Sequence, residues 1–185
     1  MAGYKAVVIG GGPAGHTAAV RISELGGKVA LIERDYIGGI CTNWGCTPSK
    51  SMIESAKVAK TVAESGLYGV EVEKYHVDFS RVAQRRDRVI LDTRAFITDL
   101  LEHHEVDIFH GEGQMLSPKR VLVRKGYLDE DGETMHYEDD DVEIETENII
   151  IATGSKPLIP PFVDENDPSI VSSNRLISID TVSYT

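Results

Sequence analysis

Hydrophobic positions along this chain change period several times, and each change marks an element. Ala6-Val7-Val8-Ile9 is an unbroken apolar run, the pattern of a parallel strand buried on both faces. Ala14, Ala18, Ala19, Ile22 and Leu25 then recur at helical spacing, and Gly26-Gly27 closes that helix before a second strand, Lys28-Val29-Ala30-Leu31-Ile32-Glu33. Met52, Ile53, Ala56, Ala59 and Val62 predict a helix that stops near Gly66. A longer one is expected from an N-cap at about Asp78 to Glu105, with Phe79, Val82, Val89, Phe96, Ile97, Leu100 and Leu101 on one face. That stripe is heptad-like, and it reads as core rather than coiled coil. Asp107 to His110 reads as a third parallel strand, and a β-meander is expected from about Gly113 to Glu147. Within it Asp131-Gly132 is a turn signal, and Val142, Ile144 and Thr146 alternate with acids as an exposed strand would. A strand at Ala152-Thr153-Gly154 follows. Pro157, Pro160, Pro161 and Pro168 then predict an irregular linker. Strands alternating with helices make this an α/β chain.

Composition narrows the class. The chain is 41% hydrophobic and 26% charged, with no apolar run near the ~18–20 residues of a membrane span. Tyr4-Lys5 leads directly into the first strand, so no signal peptide is expected. The net charge of -11 argues against nucleic acid or anionic membranes as partners. All of that excess lies between Asp129 and Glu147, where eleven acids stand without a Lys or Arg. Solvated hairpins with edge-blunting acids account for it, and a partner-docking surface is the alternative.

The first strand runs straight into Gly10-Gly11-Gly12-Pro13-Ala14-Gly15, a match to G-x-G-x-x-G. Alone the match is weak. Here it stands between a strand and a helix, and Glu33 ends the next strand 18 residues past Gly15. Glycines permit a tight turn and close approach of backbone to a pyrophosphate, the helix N-terminus offers free amides, and Glu33 accepts from a ribose hydroxyl. An acid there argues against a 2′-phosphate, hence FAD or NAD rather than NADP.

Cys41 and Cys46 are the only cysteines. Residues five apart in a regular helix are about 8–9 Å apart, beyond the reach of a disulfide unless the backbone distorts. Gly45 allows distortion, and Pro48 fits a first helical turn. A small-ring bridge at a helix N-terminus is easily reduced, with thiols of depressed pKa, which is what a catalytic disulfide requires. Two buried structural thiols are the alternative. A zinc site lacks half its ligands, and no metal site is expected. The six histidines are scattered, and none is given a role.

Gly38 to Lys50, together with the glycine fingerprint, resembles the N-terminal FAD-binding region of the pyridine nucleotide-disulfide oxidoreductases, which include dihydrolipoyl dehydrogenase, glutathione reductase and mercuric reductase. The family pattern is approximately G-G-T-C-x-N-x-G-C-x-P-S/K-K. Ile149-Ile150-Ile151-Ala152-Thr153-Gly154-Ser155 is similar to the family's A-T-G strand end beside the flavin, and His110-Gly111-Glu112-Gly113 to its adenine-contacting G-x-G segment. The resemblance implies a Rossmann-like FAD-binding domain, a parallel sheet with helices on one side and a β-meander on the other, over residues 1–155. Residues 156–185 would be a linker toward a nicotinamide-binding domain. Cys41 would be the interchange thiol and Cys46 the flavin-proximal one, with Lys50 near the flavin. Gly10, Gly12, Pro13, Ala14, Gly15, Glu33, Gly39, Cys41, Lys50, Gly113, Ala152, Thr153 and Gly154 would line the cofactor.

Two positions depart from the pattern. Ile40 stands where the family often has Thr, although some dihydrolipoyl dehydrogenases carry Ile or Val there. Thr47 replaces the usual Ile or Val, and nothing in the sequence explains it. Ser49 is shared with dihydrolipoyl dehydrogenases and mercuric reductases, whereas glutathione reductases usually carry Lys. The complete cysteine pair disfavours the soluble transhydrogenases. The resemblance therefore implies the FAD and redox-disulfide portion of an NAD(P)H-dependent enzyme, most like dihydrolipoyl dehydrogenase. The alternatives are a mercuric or glutathione reductase-like enzyme and a non-catalytic dinucleotide-binding fragment. The family's second dinucleotide domain and its dimerisation domain, with a His-Glu pair, have no counterpart in these residues. A small-molecule or lipoyl disulfide substrate, a homodimeric parent, docking on a 2-oxoacid dehydrogenase complex and a reducing cytoplasm complete the expectation.

Overall fold

The computed structural model describes residues 3–129, 134–164, 167 and 170–181, so the Asp131-Gly132 turn and Pro168 lie outside the described residues. The chain divides into two compact units, Met1–Cys41 with Arg94–Ser155 and Thr42–Thr93 with Lys156–Thr185.

The first unit is built on β1 (Ala6–Ile9) and β2 (Val29–Glu33), every residue of which is buried. They pair in parallel, with Val7 opposite Ala30 and Ile9 opposite Ile32. β7 (Ile149–Ile151) pairs in parallel on the other side of β1. The Ala152-Thr153-Gly154 segment is therefore not itself a strand but irregular backbone leaving β7. One face of this sheet, from Val8, Val29 and Leu31, packs with Ala19 of α1 (Pro13–Glu24) and with Ile97, Leu101 and Val106. The opposite face, from Val7, Ile9, Ala30 and Ile32, packs under Val121 and Val123 of β4 (Arg120–Leu128) and Ile144 of β6 (Val142–Glu145). Helices thus cover one side and the meander the other, as expected.

β3 departs from the expectation. A separate third strand and a meander beginning at Gly113 are replaced by one strand, Asp107–Ser117. Its first residues pair in parallel with β2, from Ala30 opposite Asp107 to Glu33 opposite His110. From Gly111 onward it pairs antiparallel with β4. Gly111 makes the handover at φ +145°, and a Cβ there would lie 2.2 Å from the Arg124 carbonyl oxygen. No other residue type fits that backbone. β5 (Met135–Tyr137) continues the sheet beyond β4. In β6 the alternation has a buried side: Ile144 is 4% exposed, with the acids outward. The strand is half-buried rather than exposed.

Two helices dominate the rest. α2 (Gly39–Asn43) is a short one, and α3 (Cys46–Ala63) starts after a break at Trp44-Gly45. α4 (Phe79–His103) begins where expected, with the Arg81 amide donating to Asp78 Oδ1 at 3.2 Å. Its stripe is only partly core. Ile97 and Leu101 are buried, yet Phe96 is 65% exposed. Ile53 of α3, also assigned to an apolar face, is 54% exposed. The linker is less irregular than its prolines imply: α5 (Ser173–Ile177) forms there, its Ser172 hydroxyl accepting from the Arg175 amide. A Ser at the N-cap is the signal that identifies it.

Gly111→Ala is expected to cost about 1–3 kcal/mol, the range for a residue forced into a sparsely populated backbone region. A lowered urea midpoint checks it; an unchanged midpoint would mean that the strand changes partners without needing the glycine.

Candidate functional site

The residues assigned to a cofactor in the first unit gather at the carboxyl ends of its parallel strands, the edge at which open α/β sheets bind ligands. β1 ends in Gly10, whose φ is +106° and whose Cβ, if present, would lie 2.3 Å from the Ala152 carbonyl oxygen. The Ala152 amide in turn donates to the Ile9 carbonyl at 2.8 Å, so the start of Ala152-Thr153-Gly154 is locked beside the glycine turn. Gly15 sits in the first turn of α1 directly on the Gly10 carbonyl, at 1.7 Å for a hypothetical Cβ. α1 begins with Pro13 after Gly12 as its N-cap, and both Pro13 and Ala14 are exposed. Gly113 is placed differently, on β3 against the side chains of Ile9 and Ile32.

Gly12 serves a different purpose from its neighbours. A Cβ on it would meet only the Gly39 Cα, at 3.9 Å, so its outer side is open. Gly39, conversely, is packed hard on Gly12: its Cβ would be 2.8 Å from the Gly12 Cα. This contact sets the start of α2, and hence Cys41 two residues later, against the glycine turn. Open backbone at the N-terminus of a twelve-residue helix fits the diphosphate of a dinucleotide such as FAD.

Cys41 and Cys46 are joined in a disulfide. The two cysteines are not on one regular helix: Cys41 lies in α2 and Cys46 is the first residue of α3. Gly45 breaks the helix with φ -133° and ψ -103°, a conformation open to glycine. Pro48 then falls in the first turn of α3 and is fully buried.

Residues 4–181 match the family described as pyridine nucleotide-disulphide oxidoreductase. The chain belongs to that family. It is 34% identical over 181 residues to a dihydrolipoyl dehydrogenase of Acholeplasma laidlawii, covering 95% of this chain and 49% of that protein. A dihydrolipoyl dehydrogenase of Bacillus subtilis is 32% identical over 177 residues, covering 96% of this chain and 37% of that one. Among solved structures, a Cu(II) complex of the HOCl-induced flavoprotein disulfide reductase RclA from Escherichia coli superposes with a TM-score of 0.74 at 28% identity, covering 97% of this chain and 35% of RclA. The chain thus spans half or less of the length of these relatives.

Several features of this family member lie outside what its motifs signal. Glu33, expected to face a ribose, is 9% exposed and holds two backbone amides, Gly11 at 2.6 Å and Asp35 at 2.9 Å. The strand end thereby grips the glycine turn directly. A carboxylate has about four lone-pair sites, so two bonds leave capacity for a hydroxyl. No spacing rule signals the tether; it follows from the parallel pairing of β1 and β2. Arg94 of α4 lies over the Tyr36 ring at 3.6 Å, bracing the loop that leads to Gly38-Gly39. Lys50, one turn after Cys46, is exposed, as is Cys46, while Cys41 is half-buried. Among the described residues no group of three or more His, Cys, Asp or Glu converges as a metal site, and no helix is long and apolar enough to cross a membrane.

Beside Glu33, burial pushes the Asp35 carboxyl above its ordinary value; the Tyr36 amide opposes this, Glu33 adds to it, and Arg94 and Arg34 oppose it. An acid shifted upward favours the fold only while protonated, and that contribution fades as pH rises through the folded-state value. Asp35→Asn is therefore expected to gain stability relative to wild type at neutral pH and to lose the advantage near about pH 4. Urea midpoints at both pH values check it, and an equal difference at each would overturn it.

Proposed function

We propose that this chain is the FAD-binding and redox-disulfide portion of an NAD(P)H-dependent disulfide oxidoreductase, most like dihydrolipoyl dehydrogenase. Residues 1–155 hold the cofactor, and 156–185 lead toward a nicotinamide-binding domain. The observation that carries this reading is the contact of Gly39 on Gly12. It joins the glycine turn of a dinucleotide site to a segment whose next cysteine is disulfide-bonded.

In this proposal the Gly12 backbone and the first amides of α1 hold the pyrophosphate, Glu33 accepts from the ribose, and Gly113 with Ala152, Thr153 and Gly154 lines the remainder. Bound flavin supplies the two-electron carrier between nicotinamide and dithiol. Two electrons and one proton open the Cys41–Cys46 bond, leaving a Cys41 thiol and a Cys46 thiolate at the α3 N-terminus, where helix amides favour negative charge. Cys41 attacks one sulfur of a disulfide substrate, forming a mixed disulfide and releasing the other sulfur as a thiol. The Cys46 thiolate then attacks the Cys41 sulfur, restoring the protein disulfide and releasing the second sulfur, which takes a proton from water. Lys50 places a positive charge one turn from Cys46. Relatives named dihydrolipoyl dehydrogenase favour a lipoyl substrate; the proposal adds a homodimeric parent, docking on a 2-oxoacid dehydrogenase complex and residence in a reducing cytoplasm.

Two outcomes test this. Refolded with FAD and freed of excess, the chain is expected to keep flavin absorbance, and Gly12→Val to lose most of it, since its side chain occupies the open face; equal retention would overturn the cofactor assignment. Thiol titration is expected to rise by two equivalents per chain upon reduction, and Cys41→Ser or Cys46→Ser to abolish disulfide reduction by the parent enzyme while leaving flavin bound. Activity retained in either variant would refute the roles of the cysteines.

A further inference from the structure

α3 has two sides. At about 100° per residue, Cys46, Lys50 and Ile53 fall on one stripe, and all three are exposed. Pro48 and Ser51 fall on the other and are buried, Ser51 at 6% exposure. A buried hydroxyl on a helix is costly unless bonded, and this one has a specific partner. Arg85 of α4 donates through one nitrogen, Nη1, to Ser51 Oγ at 2.8 Å and to the Ser51 carbonyl oxygen at 3.0 Å. The Ser55 hydroxyl shares that carbonyl at 3.4 Å. The adjacent Arg86 does something else: its guanidinium is buried, bonded to the Ile177 and Ile179 carbonyls at 2.8 and 2.6 Å and to Asp87 at 2.8 Å. Two neighbouring arginines of α4 thus grip two different segments of the same unit.

We propose that Arg85 is a positioning residue for the redox disulfide: by holding Ser51 on the buried side of α3, it keeps the N-terminal turns of that helix from fraying and so keeps the first-turn amides gathered at Cys46. The proposal rests on the redox reading of Cys41 and Cys46. This matters because the thiolate formed at Cys46 is favoured by amides of the first turn of α3, and those amides converge on it only while that turn stays helical. A freed helix would favour the thiolate less, so reduction of the disulfide would become less favourable. Arg85 touches neither substrate nor cofactor; it acts through Ser51.

The test is the equilibrium of the purified 185-residue chain with dithiothreitol, in which two electrons pass from the reagent to the Cys41–Cys46 bond, one proton goes to Cys41 and the other to the buffer, and the reagent closes to its cyclic disulfide. Arg85→Ala and Arg85→Lys are both expected to lower the equilibrium constant for reduction by about two- to fivefold, the size of a helix-terminus effect on one charge. Arg85→Lys keeps the charge and loses the planar guanidinium, so a normal constant in that variant would assign the effect to charge and overturn the positioning role. Ser51→Ala removes only the hydroxyl; it is expected to shift the constant in the same direction, and Arg85→Ala is expected to add less in that background than in wild type. Additivity would overturn the proposal. Arg86→Ala is expected to leave the constant unchanged while speeding hydrogen exchange at 172–179; a shift equal to that of Arg85→Ala would show that any loosening of α4 suffices. Identical constants in wild type and all Arg85 variants overturn the proposal while leaving the redox reading intact. A wild-type disulfide that dithiothreitol does not reduce overturns that reading and the proposal with it.

Discussion

β1 and β2 bury side chains on both faces, and the rest of the first unit follows from that constraint. Val8 and Leu31 face α1 and α4, while Val7, Ile9, Ala30 and Ile32 face β4 and β6. Neither covering layer is optional, because each hides apolar surface worth roughly 25 cal/mol per Å². Strands covered on both sides leave only their ends for chemistry, and the carboxyl ends receive Gly10, Glu33 and Ala152 together. The opposite ends are closed by polar contacts instead. Tyr4 donates to Asp107 at 2.7 Å, and burial with that bond pushes its phenol up to about 12.

The glycines near the site divide by physical role. Gly10, Gly15 and Gly39 are glycine because another backbone occupies the space of a side chain. Gly12 has no such obstruction, so its small size serves what approaches from outside. A fingerprint written as G-x-G-x-x-G does not separate these roles. The middle residue, Gly11, is written as variable in the pattern yet donates to Glu33 at 2.6 Å and packs against Ile37 and Glu33. It belongs to the machinery that holds the turn.

Charge on the meander contributes little to the fold. Arg120 pairs with Glu143 at 3.3 Å and Lys125 with Asp140, but exposed pairs of this kind are worth about 0–1 kcal/mol. What holds β6 is Ile144, inserted into the lower core between outward acids.

Local signals in the sequence determined much of this protein. Unbroken apolar runs announced β1 and β2, Asp78 announced α4, and the glycine pattern with Glu33 announced a dinucleotide turn. These signals are read within a few residues, because turn chemistry, capping and periodicity are local. Only the tertiary structure decided which strand pairs where and which face of a helix is inside. β3 changes partner at Gly111 because β2 ends opposite His110, at Glu33, while β4, returning from Arg120, lies opposite from Gly111 onward, a fact of sheet geometry absent from the 107–117 segment itself. Phe96 and Ile53 match a core periodicity but stay exposed among the described residues, whereas the polar Ser51 is buried, with Arg85, 34 residues away, bonded to it. Periodicity says that a helix has two faces. Which face is buried depends on partners distant in sequence, and those the chain meets only on folding.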